Sequence, residues 1–391
     1  MSDVLSPWGI LNGIRPVKIA YKLIKSGKTH AETVEYFINE YGASREKAEL
    51  AVRVAGVEMP IIDSMNEKGV SIYIGIPFCP TRCLYCSFVS NSVASGAKYI
   101  PQYLECLRRE IAYTADIIRQ NKSVGVSVYI GGGTPTTLSA DQLRFLFDGI
   151  FSEFDLSKNK EFTVEAGRPD TITEEKLKAI KDFGIDRISI NPQSMNNETL
   201  KTIGRNHTPD DIRRAYHMAR ECGIDCINMD IIAGLPGETV DMFKYTVEEV
   251  ENMNPENTTV HTMSIKRSSK LNENLGDYSL TDGSDVAEMV DFSMKTITSA
   301  GKNPYYLYRQ KNMLGNLENV GYAKPGTESL YNIYIMEEVQ TIISLGCGGV
   351  TKTVDRETDR IERIFNVKEP KDYIERIDEM LCRKYVLLTN R

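Results

Sequence analysis

A chain of 391 residues with 41% hydrophobic and 26% charged residues has the make-up of a folded soluble protein, long enough for one barrel-sized domain with smaller additions. A net charge of −7 argues against broad nucleic-acid binding, although it leaves local basic pockets open. No apolar run approaches the roughly 18 residues of a membrane span, and "MSDVLSPWGI" lacks a basic stretch leading into an apolar one, so no span and no secretion signal are expected.

Residues 1–66 predict a helical N-terminal segment. "VKIAYKLIKSG" ends on Gly27 as a C-cap. Thr29 with Glu32 three residues later forms a capping box for the next helix, and Ser44 opens a third. From 67 to 280 strands alternate with helices. Strand-like runs lie at 71–75, 126–131, 161–166, 187–191, 226–232 and 258–265, with amphipathic helical stretches between them. Six βα units in succession predict an α/β fold with a parallel sheet and right-handed crossovers, either doubly wound or an incomplete barrel. Both place chemistry at the C-terminal ends of the strands. Residues 281–391 read as a separate C-terminal region, with helices at "DVAEMVDFSMKTITSAG" and "YNIYIMEEVQTIISLG" around an aromatic segment.

Directly after the first strand comes "YIGIPFCPTRCLYC", in which Cys79, Cys83 and Cys86 form a C-x3-C-x2-C array. Clustered thiols in a chain with no expected export signal point to a reducing cytoplasm and to metal or redox chemistry rather than disulfides. A closed zinc site wants four ligands, and His30, His207, His217 and His261 are all distant in sequence. An incomplete zinc knuckle, or chance in a loop, is the competing reading. A [4Fe–4S] cluster held by three thiolates keeps one iron open to a small molecule. The array, with Tyr85 just before its last cysteine, resembles the radical S-adenosylmethionine (SAM) superfamily. That resemblance implies an incomplete (β/α)6 TIM-like barrel with a helical lead-in and an α+β C-terminal region. It also implies a [4Fe–4S] cluster whose fourth iron binds the amino and carboxylate groups of SAM, one molecule of it, with a second left open.

The loops after the later strands carry unusual residues. "YIGGGTPTTL" brings Gly131 to Thr134, "TVEAGRPD" brings Glu165, "SINPQSM" brings Gln193, "GRNH" brings Arg205, and "NMDIIAGLPGET" brings Asp230 and Ile232. Taken singly, each reads as a satisfied strand-end polar group or an ordinary turn. Taken together at consecutive strand ends, acids that accept from hydroxyls and an arginine that pairs with a carboxylate suit a zwitterionic amino acid joined to a ribose. The resemblance implies that Gly132, Gly133 and Thr134 contact the SAM amino group. It further implies that Gln193, Arg205 and Asp230 bind SAM with Glu165 in the same pocket, and that Tyr85 and Ile232 flank the adenine.

"GGGTPT", "VEAGRPD", "RISINPQSM", "IGRNHT", "DIIAGLPGET" and "PYYLYRQKNMLGNLENVGY" narrow the likeness to the oxygen-independent coproporphyrinogen III oxidase (dehydrogenase) family, Z-type branch. Gly75 stands where that family has a histidine, and Phe88 where the oxidase has a further cysteine. The resemblance implies oxidative decarboxylation of two propionates of coproporphyrinogen III to vinyls in heme biosynthesis, with Tyr73 near the SAM sulfonium. A flavodoxin or ferredoxin would donate the electron, and no nucleic-acid or membrane partner is implied. A substrate with four carboxylates needs a basic lining. Lys266 and Arg267 of "SIKRSSK", and Arg309 and Lys311 of "YYLYRQK", supply one beside Tyr305, Tyr306 and Tyr308. The competing reading is a solvated basic loop and a packed aromatic stripe. A heme chaperone, or another radical SAM reaction on a tetrapyrrole such as methyl transfer or ring opening, is the alternative. The absence of any histidine after His261 weighs against the chaperone.

Overall fold

A computed structural model describes residues 6–11, 15–88, 91–356, 358 and 360–389. Three helices lead in: α1 (Pro16–Lys25), α2 (His30–Tyr41) and α3 (Arg45–Asp63). The Thr29 hydroxyl accepts from the Glu32 amide while the Glu32 carboxylate accepts from the Thr29 amide, which satisfies two donors that an uncapped helix would strand. Ser26 ends α1, and Gly27 turns the chain at φ +99°.

The core sheet then begins. Its strands are β1 (Gly69–Ile76), β2 (Val124–Gly132), β3 (Glu161–Glu165), β4 (Arg187–Gln193), β5 (Cys226–Ala233), β6 (Asn257–Thr262), β7 (Asn303–Tyr308), β8 (Asn319–Ala323), β9 (Thr341–Leu345), β10 (Val350–Asp355) and β11 (Arg360–Phe365). Among the described residues they form one eleven-stranded sheet in the order β11-β10-β9-β1-β2-β3-β4-β5-β6-β8-β7. β9 and β1 through β6 run parallel, and the two edges are extended by antiparallel strands. All six strands predicted between 67 and 280 are present, although the sixth ends at Thr262. The boundary expected at 280/281 carries no break in the sheet, because β7 and β8 continue from β6 while β9 to β11 continue from β1.

One expectation is overturned. "YNIYIMEEVQTIISLG" is not a single helix. The helix Leu330–Glu337 stops at Glu338, which turns left-handed at φ +51°. The β-branched run that follows becomes β9, parallel to β1.

Strand alternation decides what faces where. Ile72, Ile74, Val128, Ile130, Val164, Ile188, Ile190, Ile227, Met229 and Ile231 are fully buried in the main apolar core with the helices. The intervening positions are polar: Tyr129, Glu165, Asn191, Asn228, Asp230, Thr259 and His261 all line one cavity. A parallel sheet ordinarily carries apolar runs on both faces, so this polar face marks the site. Side chains from β2 to β8 share that cavity, which requires the sheet to curl round it. No helix among the described residues is long and apolar enough to cross a membrane.

Candidate active site

The loop after β1 carries the three cysteines and is fixed by backbone bonds to distant segments. Leu84 donates to the Ile203 carbonyl at 3.0 Å, and Leu271 donates to the Leu84 carbonyl at 2.9 Å. The glycine run after β2 lies against it, with the Gly133 amide on the Ile76 carbonyl at 2.8 Å and the Thr134 amide on the Phe78 carbonyl at 2.7 Å. A Cβ at Gly133 would stand 2.6 Å from the Phe78 carbonyl oxygen, so this close approach demands glycine.

Each thiol has a donor beside it. The Thr134 hydroxyl is 3.5 Å from the Cys79 sulfur, Arg168 Nη1 is 3.6 Å from the Cys83 sulfur, and the Phe88 amide serves Cys86. Burial pushes the Cys86 thiol up to about 11, with further repulsion from Cys83 and Cys79. Bound metal reverses this preference, because a coordinating thiol is deprotonated outright. Among the described residues no three His, Cys, Asp or Glu side chains converge as donors round one ion must. A four-iron cluster takes each thiolate on a separate iron, so three thiolates leave one iron for a small molecule.

The thiols open into a cavity of about 530 Å³, in the size range of small-molecule sites. Tyr85, Gly132, Gly133, Thr134, Glu165, Gln193, Arg205, Asp230 and Ile232 all line it. Burial pushes the Glu165 carboxyl up to about 7, although the Tyr129 hydroxyl donates to it at 2.6 Å. Asp230 is half-buried, yet it is held below its ordinary value by His261, at 3.7 Å, and by Asn228, which donates at 2.7 Å. Gln193 sits at φ +69° beyond an irregularity in the β4–β5 register, and its Oε1 is buried with no partner. Arg205 spends Nη1 on the Gly167 and Asn191 carbonyls and Nη2 on the Tyr85 hydroxyl, while its buried Nε has no partner. A strained backbone and buried polar atoms without partners, on residues that line a cavity, are what a bound polar ligand explains. The donor set therefore fits a cluster with an amino-acid-bearing ligand.

The expected substrate residues are placed differently from one another. Lys266 lines the cavity beside Gln310, Tyr306 and Tyr308. Arg267 and Lys311 are exposed and outside the lining. Arg309 does not reach the cavity. It is buried over the Trp8 ring at 5.4 Å, with Nη2 on the Asn316 carbonyl and side chain and with Nε and Nη1 unpartnered. Tyr73 lies behind the lining, stacked on Tyr129 at 6.2 Å and Tyr331 at 6.0 Å. Tyr305 is buried and accepts from Asn332. Arg168, Tyr129, Asn191, Asn228, Thr259 and His261 were not anticipated. The polar half of each strand's alternation was the available signal.

The class is now defined: an α/β protein with a thiol triad at the C-terminal ends of parallel strands, facing a cavity that polar strand residues line. The family model for the radical SAM superfamily matches residues 73–250. The chain is 44% identical over 386 residues to the oxygen-independent coproporphyrinogen-III oxidase-like protein HemZ of Bacillus subtilis (98% of this chain, 77% of that protein). It is 31% identical over 317 residues to the heme chaperone HemW of the same organism (79% of this chain, 76% of that protein). Among solved structures, coproporphyrinogen III oxidase HemN from Escherichia coli shares the fold, with a TM-score of 0.63 at 21% identity over 84% of this chain and 73% of that one. The chain belongs to the radical SAM superfamily, in its HemN/HemZ-like family. That superfamily uses a [4Fe–4S] cluster and SAM.

Proposed function

We propose that this chain is a radical SAM oxidoreductase that converts two propionates of coproporphyrinogen III to vinyls, giving protoporphyrinogen IX, with a flavodoxin or ferredoxin as one-electron donor. The observation that carries the reading is that one cavity is lined both by the thiols and by Lys266 with the stacked Tyr306 and Tyr308. The 44% identity to an oxidase-like relative supports it. When bound, the cluster and SAM supply a 5′-deoxyadenosyl radical able to take a hydrogen atom from carbon. Each propionate would give up a hydrogen atom to that radical, carbon dioxide as the leaving group and one electron to a one-electron acceptor, leaving a vinyl.

The chain's own residues bind and orient. Cys79, Cys83 and Cys86 hold the cluster. Gly132, Gly133 and Thr134 face the ligand's amino group, from which the unpartnered Gln193 Oε1 accepts, and the unpartnered Arg205 Nε donates to its carboxylate. Glu165 and Asp230 accept from ribose hydroxyls, with Asp230 kept ionised by His261. Tyr85 and Ile232 flank the adenine. Lys266 pairs with a propionate while the two tyrosines stack on the macrocycle. Tyr73 acts through Tyr129, by fixing the ring that donates to Glu165.

The test is anaerobic incubation of reconstituted protein with SAM, a low-potential reductant and coproporphyrinogen III. Protoporphyrin after oxidation, with 5′-deoxyadenosine, is expected. Deoxyadenosine without decarboxylation moves the assignment to another radical reaction on a tetrapyrrole. A second reading, heme carriage, draws on the HemW relative and on His261 in the cavity. It requires a heme spectrum that His261→Ala abolishes, whereas the His261 ring already lies against Asp230 and, at 3.4 Å, the Tyr308 hydroxyl.

A further inference from the structure

Arg168 follows β3 in "EAGRPD", and the fold buries it to 3% exposure. Its guanidinium is fully committed. Nε and Nη2 donate to the two carboxylate oxygens of Asp170, both at 2.9 Å, in the fork geometry that fixes a guanidinium plane. Nη1 is thereby aimed at the cysteine loop, 3.2 Å from the Thr81 hydroxyl and 3.6 Å from the Cys83 sulfur. Asp170 is backed in turn by the buried His207 ring, whose Nδ1 stands 3.8 Å away. The Thr171 hydroxyl bonds the Arg168 carbonyl at 2.8 Å and holds the turn. Cys83 thus meets a fixed cation, where Cys79 meets a neutral hydroxyl.

We propose that Arg168 is a positioning residue for the cluster: clamped by Asp170, it donates to the Cys83 sulfur and raises the cluster's reduction potential. An electron added to a cluster increases negative charge on its sulfurs. A donor held at one of them by a rigid clamp favours the reduced form, and such outer donors are a principal lever on cluster potential. A guanidinium suits the task, because it is always charged and weakly hydrated, so its burial here needs only the Asp170 partner. Lysine would keep the charge and lose the fork. The inference rests on the cluster that the superfamily uses and not on the proposed substrate, so its test reads no turnover.

Wild type, Arg168→Gln, Arg168→Lys and Asp170→Asn are reconstituted anaerobically, assayed for iron and sulfide, and titrated for cluster midpoint by electron paramagnetic resonance. The expected result is a more negative midpoint in Arg168→Gln at full cluster content, partial rescue in Arg168→Lys, and a smaller shift of the same sign in Asp170→Asn. A midpoint in Arg168→Gln equal to wild type overturns the proposal. If Arg168→Gln fails to fold or to load iron, Asp170→Asn decides: a negative shift supports the proposal, and no shift overturns it.

Discussion

Lys384 and Glu110 form an ion pair with 1% and 0% side-chain exposure, between the C-terminal helix and the helix Ile100–Gln120. Glu110 also accepts from Asn366 Nδ2 at 2.8 Å, the Gly346 amide at 2.7 Å and the Tyr373 hydroxyl at 2.5 Å. Substituting Lys384→Met keeps the bulk and removes the counter-charge. Breaking a buried pair by deleting one partner costs about 3–5 kcal/mol, because an uncompensated charge remains. Three neutral donors stay on Glu110, so the lower end, about 3 kcal/mol, is expected. Glu110→Gln in the same background removes the stranded charge and recovers more than half of the loss. The assay is urea unfolding followed by circular dichroism and by the fluorescence of Trp8, the chain's one tryptophan, which is fully buried. A loss below about 1 kcal/mol in Lys384→Met, or strict additivity in the double variant, refutes the reasoning. The consequence reaches the site. The Tyr103 hydroxyl accepts from the Cys347 amide at 3.0 Å and donates to the Gly75 carbonyl at 2.6 Å, so this network braces the strand that leads into the cysteine loop.

Three more tests address other parts of the molecule. Cys83→Ala removes both the brown colour of reconstituted protein and SAM cleavage, and cleavage that persists contradicts the cluster assignment. Gly133→Ala forces a Cβ into the Phe78 and Ile76 carbonyl oxygens, at 2.6 and 2.9 Å, so it costs about 1–3 kcal/mol and lowers iron loading, read by iron assay and thermal unfolding. Burial pushes the Glu337 carboxyl up to about 7, beside Glu58, whose own carboxyl burial also raises and whose oxygens have no partner. The unfolded chain releases that proton near the usual value of about 4.3, while the folded state holds it to about 7. Glu337's contribution to stability is therefore complete below about pH 4.3 and is lost as pH rises to 7. Glu337→Gln gains on wild type across that window by up to about 1.4 kcal/mol per pH unit, and parallel pH profiles of the two proteins contradict this.

The sequence displayed what local chemistry dictates. Six strands were legible because apolar residues alternate with polar ones between glycine-marked turns, and several polar residues read at strand ends line one cavity, whereas Tyr129, Asn191, Asn228, Thr259 and His261 of the same lining were not singled out. What long-range packing decides was not legible. Arg309 read as a substrate cation because nothing near it shows that Trp8, some three hundred residues earlier, covers it. β9 was hidden in a helical pattern because Glu338, which carries no signal of a left-handed turn, ends that helix. The same missed strand packs beside Gly75, at which the family resemblance expected a histidine. β9 and the turn after it lie directly against β1, and a Cβ at position 75 would stand 3.3 Å from the Cys347 carbonyl oxygen and 3.5 Å from that of Leu345. Gly346 approaches closer still, since its own Cβ would fall 2.5 Å from the Gly75 carbonyl oxygen. A Cβ at position 75 is therefore tight against the Cys347 carbonyl and in ordinary contact with that of Leu345, so a larger side chain would press on the turn after β9. Gly75 is thus crowded by the chain's own backbone on the side of the turn after β9.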